Sequence, residues 1–505
     1  MKIPGSHLMD PSSCAGSENE AAKACQTPAT RSPSVRVRIE GSVFTVDKAL
    51  LEDNCEYFRA LFQSGMRECQ QEEIHLQVVS TRGFLVALQV IHGERPILND
   101  DEIVQAIECA AFLQVQALVR HLINTVNSDN CLLMYHTAVT YGLLDLFKSA
   151  ALFIRDMYQD LKEDARCLPK ELIDHVESLV PSSYVMVGTH SPSIKLLQDF
   201  MRTVCYLDED EKEWKVLTHL PLEASTTMAG VTVLDNKLYI VGGVYDVSNK
   251  VVDSGFCYDV VTETWSTFSN PQQLRYNCTL VGHEGSLYAL GGEYKRTTMS
   301  SVERYNISKS TWSFTAHLPR PTSAVACTKS MGRIFICLWK PKDTTEIYEY
   351  HPGHDEWTLV TTLIRHQSYG HCMVSHRDRL YVMRNGPCDD FLRCMMDCYN
   401  LSTGQWTALS GHYENSKGAL FTAVVRGDSV FTVNRRATVE YSIEDNKWRT
   451  KKEMTGFPRI GSMWTFLLRL PKKSREPLGK ADLTSGQNFE VPSDLPPSSS
   501  VECYD

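Results

Sequence analysis

The sequence has no run near the ~20 consecutive apolar residues that cross a bilayer, and its most apolar stretch, residues 463–468, has the length of a strand. Residues 1–34 contain no apolar core of a signal peptide. Residues 2–9 resemble a cloning remnant, and the Ser, Ala, Glu and Pro that follow predict disorder. A basic excess is missing too: 51 Lys and Arg face 61 Asp and Glu, for a formal net charge of -10, which argues against a general binder of nucleic acid or of a membrane surface. The 17 cysteines follow no framework spacing, which predicts reduced thiols, a cytoplasmic location with the nucleus also open, and unused sequons at Asn277, Asn306 and Asn400. There is no phosphate loop and no Gly-x-Ser-x-Gly elbow. His366, His371, Cys372 and His376 come nearest to a metal set, but their spacing matches no common zinc pattern. Cys394 and Cys398 fit no Cys-x-x-Cys motif. No catalytic residue, metal or cofactor is therefore expected.

What is present is a repeat. A tyrosine followed seven or eight residues later by a tryptophan recurs six times: Tyr206 and Trp214, Tyr258 and Trp265, Tyr305 and Trp312, Tyr350 and Trp357, Tyr399 and Trp406, Tyr441 and Trp448. The tryptophans lie 42 to 51 residues apart, the period of a four-stranded unit that needs neighbours to hide its apolar faces. Upstream of two pairs an apolar run ends in a glycine doublet, at Gly242–Gly243 and Gly291–Gly292. Elsewhere the doublet has drifted to Gly188–Thr189, Leu338–Trp339, Arg384–Asn385 and Asn434–Arg435.

The order of strand, doublet, loop, Tyr strand and Trp strand resembles the kelch repeat, the blade of a β-propeller. Internal blades open with an extra strand, as at residues 228–234 and 279–283; the first, at residues 184–188, has none, and an unpartnered strand follows the last tryptophan at 462–468. We therefore expect a six-bladed propeller over residues 183–470, its first blade closed by the C-terminal strand, which leaves no exposed sheet edge at the seam.

Ahead of it, alternation at residues 35–39 and 43–46 predicts a hairpin, and helical spacing follows over 48–52 and 55–63. Together with Gly65–Met66–Arg67–Glu68, Ile74–His75–Leu76 and helical stretches at 83–91 and 101–126, this resembles the BTB domain, a small α/β protein-contact fold, over residues 35–127. Asn99 to Glu102 place capping and acidic residues at a helix start. The family usually has histidine where Asp47 stands, and it has a helix and strand before the hairpin, exchanged between subunits, that find no counterpart here; a homodimer of the swapped kind is in doubt. Residues 128–182, from Asn130–Cys131–Leu132 through helices at 149–161 and 169–179, resemble a shortened α-helical BACK segment. Residues 471–505 predict a disordered tail.

The resemblance implies a multidomain, non-catalytic substrate-recognition adaptor of a cullin-3 ubiquitin ligase. Its cullin-docking residues would be Met66, Arg67, Glu68, Asn130 and Leu132. The substrate-binding residues would be Arg275, Arg320, Arg365, Arg384, Arg435, Arg436 and Arg459, with Tyr276, Tyr294 and Trp339 as apolar anchors, suited to an acidic or phosphorylated peptide. The competing reading of the same arginines is that they brace neighbouring turns, and the Tyr and Trp repeats are expected to pack between blades. A cytoskeletal or scaffold protein is the alternative, since relatives bind actin or microtubule-associated partners; a copper-oxidase propeller lacks its metal cluster, and a BTB transcription factor lacks its zinc fingers.

Overall fold

The structure is a computed structural model that describes residues 34–65, 73–189, 203–221, 223–224, 228–245, 250–340, 344–365, 369–386, 393–409, 413–414, 422–433, 438–450 and 462–471. The termini expected to be disordered lie outside these residues. The chain divides into two compact units, Met1–Gln77 and Val78–Asp505. In the first, the alternation of Val35, Val37 and Ile39 puts three apolar side chains on one buried face. β1 (Ser34–Ile39) pairs antiparallel with β2 (Ser42–Asp47) across a two-residue turn, and β3 (Glu73–Leu76) joins β1 in parallel. α1 (Lys48–Asn54) follows at once because Asp47 caps it, its Oδ1 accepting from the amides of Ala49 (2.8 Å) and Leu50 (3.4 Å). The departure from the family's histidine thus has a local purpose. α2 (Glu56–Gln63) then buries Phe58.

The second unit opens with α3 (Thr81–Ile91), α4 (Asp100–Leu113) and α5 (Gln116–Thr125). A capping box starts α4: Asn99 Oδ1 accepts from the Glu102 amide and the Glu102 carboxylate accepts from the Asn99 amide, both at 3.0 Å. α6 (Cys131–Tyr141), α7 (Leu144–Asp156), α8 (Tyr158–Leu161), a 3-10 turn (Asp164–Cys167) and α9 (Lys170–Ser178) complete the helical segment. The helix expected over 149–161 instead begins at Leu144, because Leu146, Ala150 and Ile154 continue its buried stripe back into the first turn.

Six sheets follow, each with four strands in simple antiparallel order, one of them carrying an additional short strand. The first blade is built from both ends of the propeller: the C-terminal strand Ser462–Leu468 pairs along its whole length with Ser183–Thr189, and Thr203–Asp208 and Glu213–His219 lie outside them. The innermost strands touch in turn all the way round, the sixth against the first. One apolar cluster occupies each of the six junctions. That between the last and first blades is made of Phe431 and Val433 on one side and Tyr184, Met186, Leu207 and Trp214 on the other.

The aromatic repeat is now explained. In blades two to six the tyrosine of the third strand stands directly opposite the tryptophan of the fourth, with ring centroids 4.9 to 5.1 Å apart. The indole N–H then reaches the preceding blade: Trp312 donates to Ser269 O at 2.7 Å, Trp357 to Ala316 O at 3.1 Å, and Trp406 to Thr361 Oγ1 at 2.9 Å. The first blade differs. Its pair is eight residues apart, Trp214 opposes Leu207 rather than Tyr206, and the two aromatics join different junction clusters. A one-residue change of register sends a strand side chain to the other face.

The doublets are contact points. Gly243 N–H donates to Arg275 O (3.1 Å) and Gly292 N–H to Thr322 O (2.9 Å), so each holds the connection leading into the next blade. Gly242 and Gly291 have φ of 69° and 55°, and a Cβ on either would come within 2.2 and 2.3 Å of those same carbonyls. Gly242→Ala should therefore destabilise the protein by roughly 1–3 kcal/mol in urea unfolding, whereas Gly353→Ala, with nothing within 4 Å and no positive φ, should leave the midpoint unchanged.

Candidate functional site

Strand direction divides the propeller into two ends. Hairpin turns joining first and second strands lie at one end, and connections from second to third strands at the other. The hairpin end is occupied by the helical segment. Arg377, in the fifth blade's turn, donates Nη1 to Asp129 Oδ2 (2.6 Å) and Nη2 to Ser128 Oγ (2.7 Å) just before α6. Arg469, directly after the closing strand, forks onto Asp156 (2.9 and 2.8 Å) at the end of α7 and also bonds the carbonyls of Val180 and Leu152. Its backbone exchanges two hydrogen bonds with the Asn236 side chain in the second blade's turn.

The opposite end carries the predicted client-binding residues, and the structure sorts them. Arg275 is wholly buried. Its guanidinium donates to Gly291 O (2.9 Å) and Ser301 O (3.1 Å) and pairs with Glu303 Oε1 (2.5 Å), whose carboxylate also accepts from the amides of Gln272 and Gln273. Arg320 donates to Glu346 Oε2 (2.7 Å) and to Trp339 O (3.1 Å), and Lys340 takes the other Glu346 oxygen (2.5 Å). Arg365 reaches Asp397 Oδ1 at 3.0 Å while the nearly buried Arg384 holds Asp397 Oδ2. One device recurs in blades three to five: an arginine entering the blade grips an acidic residue on its third strand. Burial by itself would raise the Glu346 carboxyl, but hydrogen bonds from Lys340 and Arg320 outweigh it and hold the group below the usual range.

Arg275 and Arg384 are accordingly corrected from client contacts to internal braces, since their guanidinia are spent inside the protein. Arg320 and Arg365 brace as well, but their side chains stay 26% and 37% exposed and can also meet a ligand. Arg435, Arg436 and Arg459 lie outside the described residues. The partners Glu303, Glu346 and Asp397 escaped sequence reading. Their signal was an acidic residue shortly before the repeat tyrosine, on a strand whose other residues face apolar neighbours.

The aromatic anchors fare differently. Tyr276 and Tyr294 come together at a small hairpin, Glu293–Tyr294 with Thr297–Thr298, where the Tyr276 hydroxyl accepts from the Arg296 amide (3.2 Å) and Lys295 Nζ stands 5.2 Å from the Tyr294 ring. Both tip residues, Lys295 and Arg296, have positive φ, 49° and 65°, and both are exposed. Trp339 is 47% exposed beside the Arg320–Glu346–Lys340 group.

Of the docking residues, Met66, Arg67 and Glu68 lie outside the described residues. Asn130 is buried at the start of α6. Its Oδ1 accepts from the Asn127 amide (2.8 Å) and its Nδ2 donates to Thr125 O (3.0 Å). It is corrected to a structural turn residue, while Leu132 on α6 is half-buried. Cys372 is half-buried, and desolvation pushes its thiol up to about 12. His376 pairs with Asp428 at 2.9 Å.

A ring of antiparallel four-stranded blades that follows a small α/β domain in sequence defines a class, and the comparisons agree. Residues 31–129 match the BTB/POZ domain and residues 174–386 the KLHDC2/KLHL20/DRC7 Kelch-repeats domain. The chain is 54% identical over 445 residues to human Kelch repeat and BTB domain-containing protein 13, covering 88% of this chain and 97% of that protein. It is 53% identical over 448 residues to the mouse protein of that name, and 28% identical over 464 residues to mouse Kelch-like protein 42, covering 81% of this chain and 91% of that one. The chain belongs to the BTB–kelch family, whose members are typically substrate adaptors and generally non-catalytic.

The Arg275–Glu303 pair, with both side chains fully buried, provides a test of the bracing role. Arg275→Ala strands a buried carboxylate and should cost about 3–5 kcal/mol, whereas Arg275→Met with Glu303→Leu should recover most of that loss in the same denaturation measurement.

Proposed function

We propose that this chain is the substrate-recognition adaptor of a cullin-3 RING ubiquitin ligase. In this reading Met66 and Glu68 of the BTB domain, with Leu132 on α6, dock the cullin, and the loop end of the propeller holds a client protein. The observation that carries it is the division of the propeller's two ends. The hairpin end is taken up by the chain's own helices, while Trp339, Lys295 and Arg296 stand exposed, with Tyr294 half-buried beside them, at the far ends of the same strands. Exposed aromatics beside cationic groups suit an acidic or phosphorylated peptide segment: rings supply buried area at little entropic cost, and guanidinium or ammonium groups meet carboxylate or phosphate. Such an adaptor lowers no chemical barrier. It raises the effective concentration of client lysines at the transferring enzyme. The cytoplasm, where unpaired buried thiols such as Cys205, Cys278 and Cys337 persist, is the compartment we assign.

Affinity purification of the full chain from cells should recover cullin-3. Met66→Asp and Glu68→Ala should reduce that recovery about tenfold or more, as removing an interface anchor does, without altering the thermal unfolding midpoint. Cullin-3 absent from the wild-type purification, or recovered equally with both variants, would exclude the ligase reading; co-sedimentation with filaments that survives both substitutions would support a cytoskeletal scaffold instead.

A further inference from the structure

Each blade ends in an outermost strand whose far edge meets no other strand among the described residues, and most of these edges are kept short or charged. Those of blades one, two, three, five and six, Glu213–His219, Thr264–Ser269, Thr311–Thr315, Gln405–Ala408 and Lys447–Thr450, run seven, six, five, four and four residues, and the first and last of them carry lysine. The fourth blade is different. Its outermost strand, Glu356–Ile364, is nine residues long and holds no charge after Glu356. Leu359 and Ile364 on it are 52% and 61% exposed. An edge this long, apolar and unguarded is a template for another strand.

The pairing inside the blade says which strand fits. Trp357 stands opposite Tyr350, Leu359 opposite Tyr348, Thr362 opposite Glu346 and Ile364 opposite Thr344, while Thr358, Thr361 and Leu363 oppose Glu349, Ile347 and Thr345. Opposed residues share a face, and so do alternate residues of one strand. Trp357, Leu359, Thr362 and Ile364 therefore lie on one face, and Thr358, Thr361 and Leu363 on the other. The register slips between Ile347 and Tyr348, which leaves Val360 unopposed. That slip makes the strand symmetric about its middle: read inward from either end, the faces come in the same order. Laid antiparallel against a copy of itself, it matches face to face when Trp357 opposes the copy's Ile364, Thr358 its Leu363, Leu359 its Thr362 and Val360 its Thr361. Backbone N–H and C=O groups alternate sideways with the same period as the faces, so this register also brings outward groups to outward groups. One step further along, the exposed Glu356 meets the copy's Arg365, which is 37% exposed beside its bond to Asp397. Shifting the register by two in either direction separates these charges.

We propose that the outer edge of Glu356–Ile364 is an interface with a second copy of this chain, the two strands pairing antiparallel about a two-fold axis between Val360 and Thr361. Symmetry makes every contact twice: two Glu356–Arg365 pairs, two of Trp357 with Ile364, and two of Leu359 with Thr362. The two fourth blades become one continuous sheet, and each Val360 gains an opposing residue. This interface needs no exchange of an N-terminal segment.

Sedimentation equilibrium of the full chain should show a reversible monomer–dimer equilibrium. Leu359→Lys with Ile364→Lys, both at exposed positions, should raise the dissociation constant roughly tenfold or more. Glu356→Arg, which sets two cations against each other, should raise it less, and Val261→Lys, at an exposed position on the second blade's turn, should leave it unchanged. Circular dichroism melts check that each variant folds. Leu359→Cys with Thr362→Cys tests the register: mild oxidation should link two chains by disulfides, whereas either substitution alone should give no more linked dimer than the unsubstituted chain. Should the lysine pair unfold the protein, the cysteine pair decides. A chain that stays monomeric, or a dimer indifferent to the edge substitutions, as one held by the BTB domain would be, would overturn the proposal. A monomeric chain from which the lysine pair removes a co-purifying protein would overturn it as well, and would assign the edge to that partner.

Discussion

A four-stranded sheet with two apolar faces has no stable way to end. Each blade here presents such a sheet, and each face must find another blade, so an open row would leave two wet apolar faces at its termini. The ring is the solution that spends both. Its weakest point is necessarily the place where the chain begins and finishes the circle, and the closing strand is secured there by more than ladder hydrogen bonds. Arg469, the next residue, ties the strand to the end of α7, to the Val180 linker and to the second blade's turn. Closure of the ring and seating of the helices are one event at this residue.

The same economy governs the polar groups. A guanidinium buried at a blade junction is tolerable only if its donors are met, and Arg275 meets them with carbonyls of a glycine-bearing strand and a carboxylate that the backbone also holds. The glycine doublets belong to this arrangement, because they let the incoming connection approach closely enough to be bonded. Where the doublet has drifted, as at Leu338–Trp339, the strands of the blade run longer and a large aromatic is lifted into solvent. Loss of a packing motif in one blade has become surface in another.

For an adaptor, this matters through geometry. In the proposed adaptor, a client held at one end of the ring and helices fixed at the other would leave little slack between the two tasks. The helical segment is bonded to the fifth blade's turn through Arg377 and to the end of the closing strand through Arg469, whose backbone is held in turn by Asn236 of the second blade's turn.

Much of this was readable in advance. The six aromatic pairs announced the blades and their number, because repeat spacing is a property of the chain alone, and the unpartnered strand at residues 462–468 announced the seam. The hairpin of residues 35–46, the capping box at Asn99 and the closing strand were legible because each rests on short-range periodicity or on a side chain bonding its own neighbours. The arginines were not. Arg275 and Arg320 stand in similar places before a blade, yet one is sealed in and the other half-open. What separates them is the position of Glu303 and Glu346, residues 26 to 28 positions away, and how tightly the next strand covers the pair. The eight-residue spacing of Tyr206 and Trp214 was visible too, but its consequence, two rings sent to different junctions, needed the register of the pairing. Local order, repeat number and chain reversal were therefore the sequence's to determine, since they depend on nearest neighbours. Which charges are consumed within the protein and which remain for a ligand was decided only by tertiary structure, because desolvation and partner distance exist only once distant strands have met.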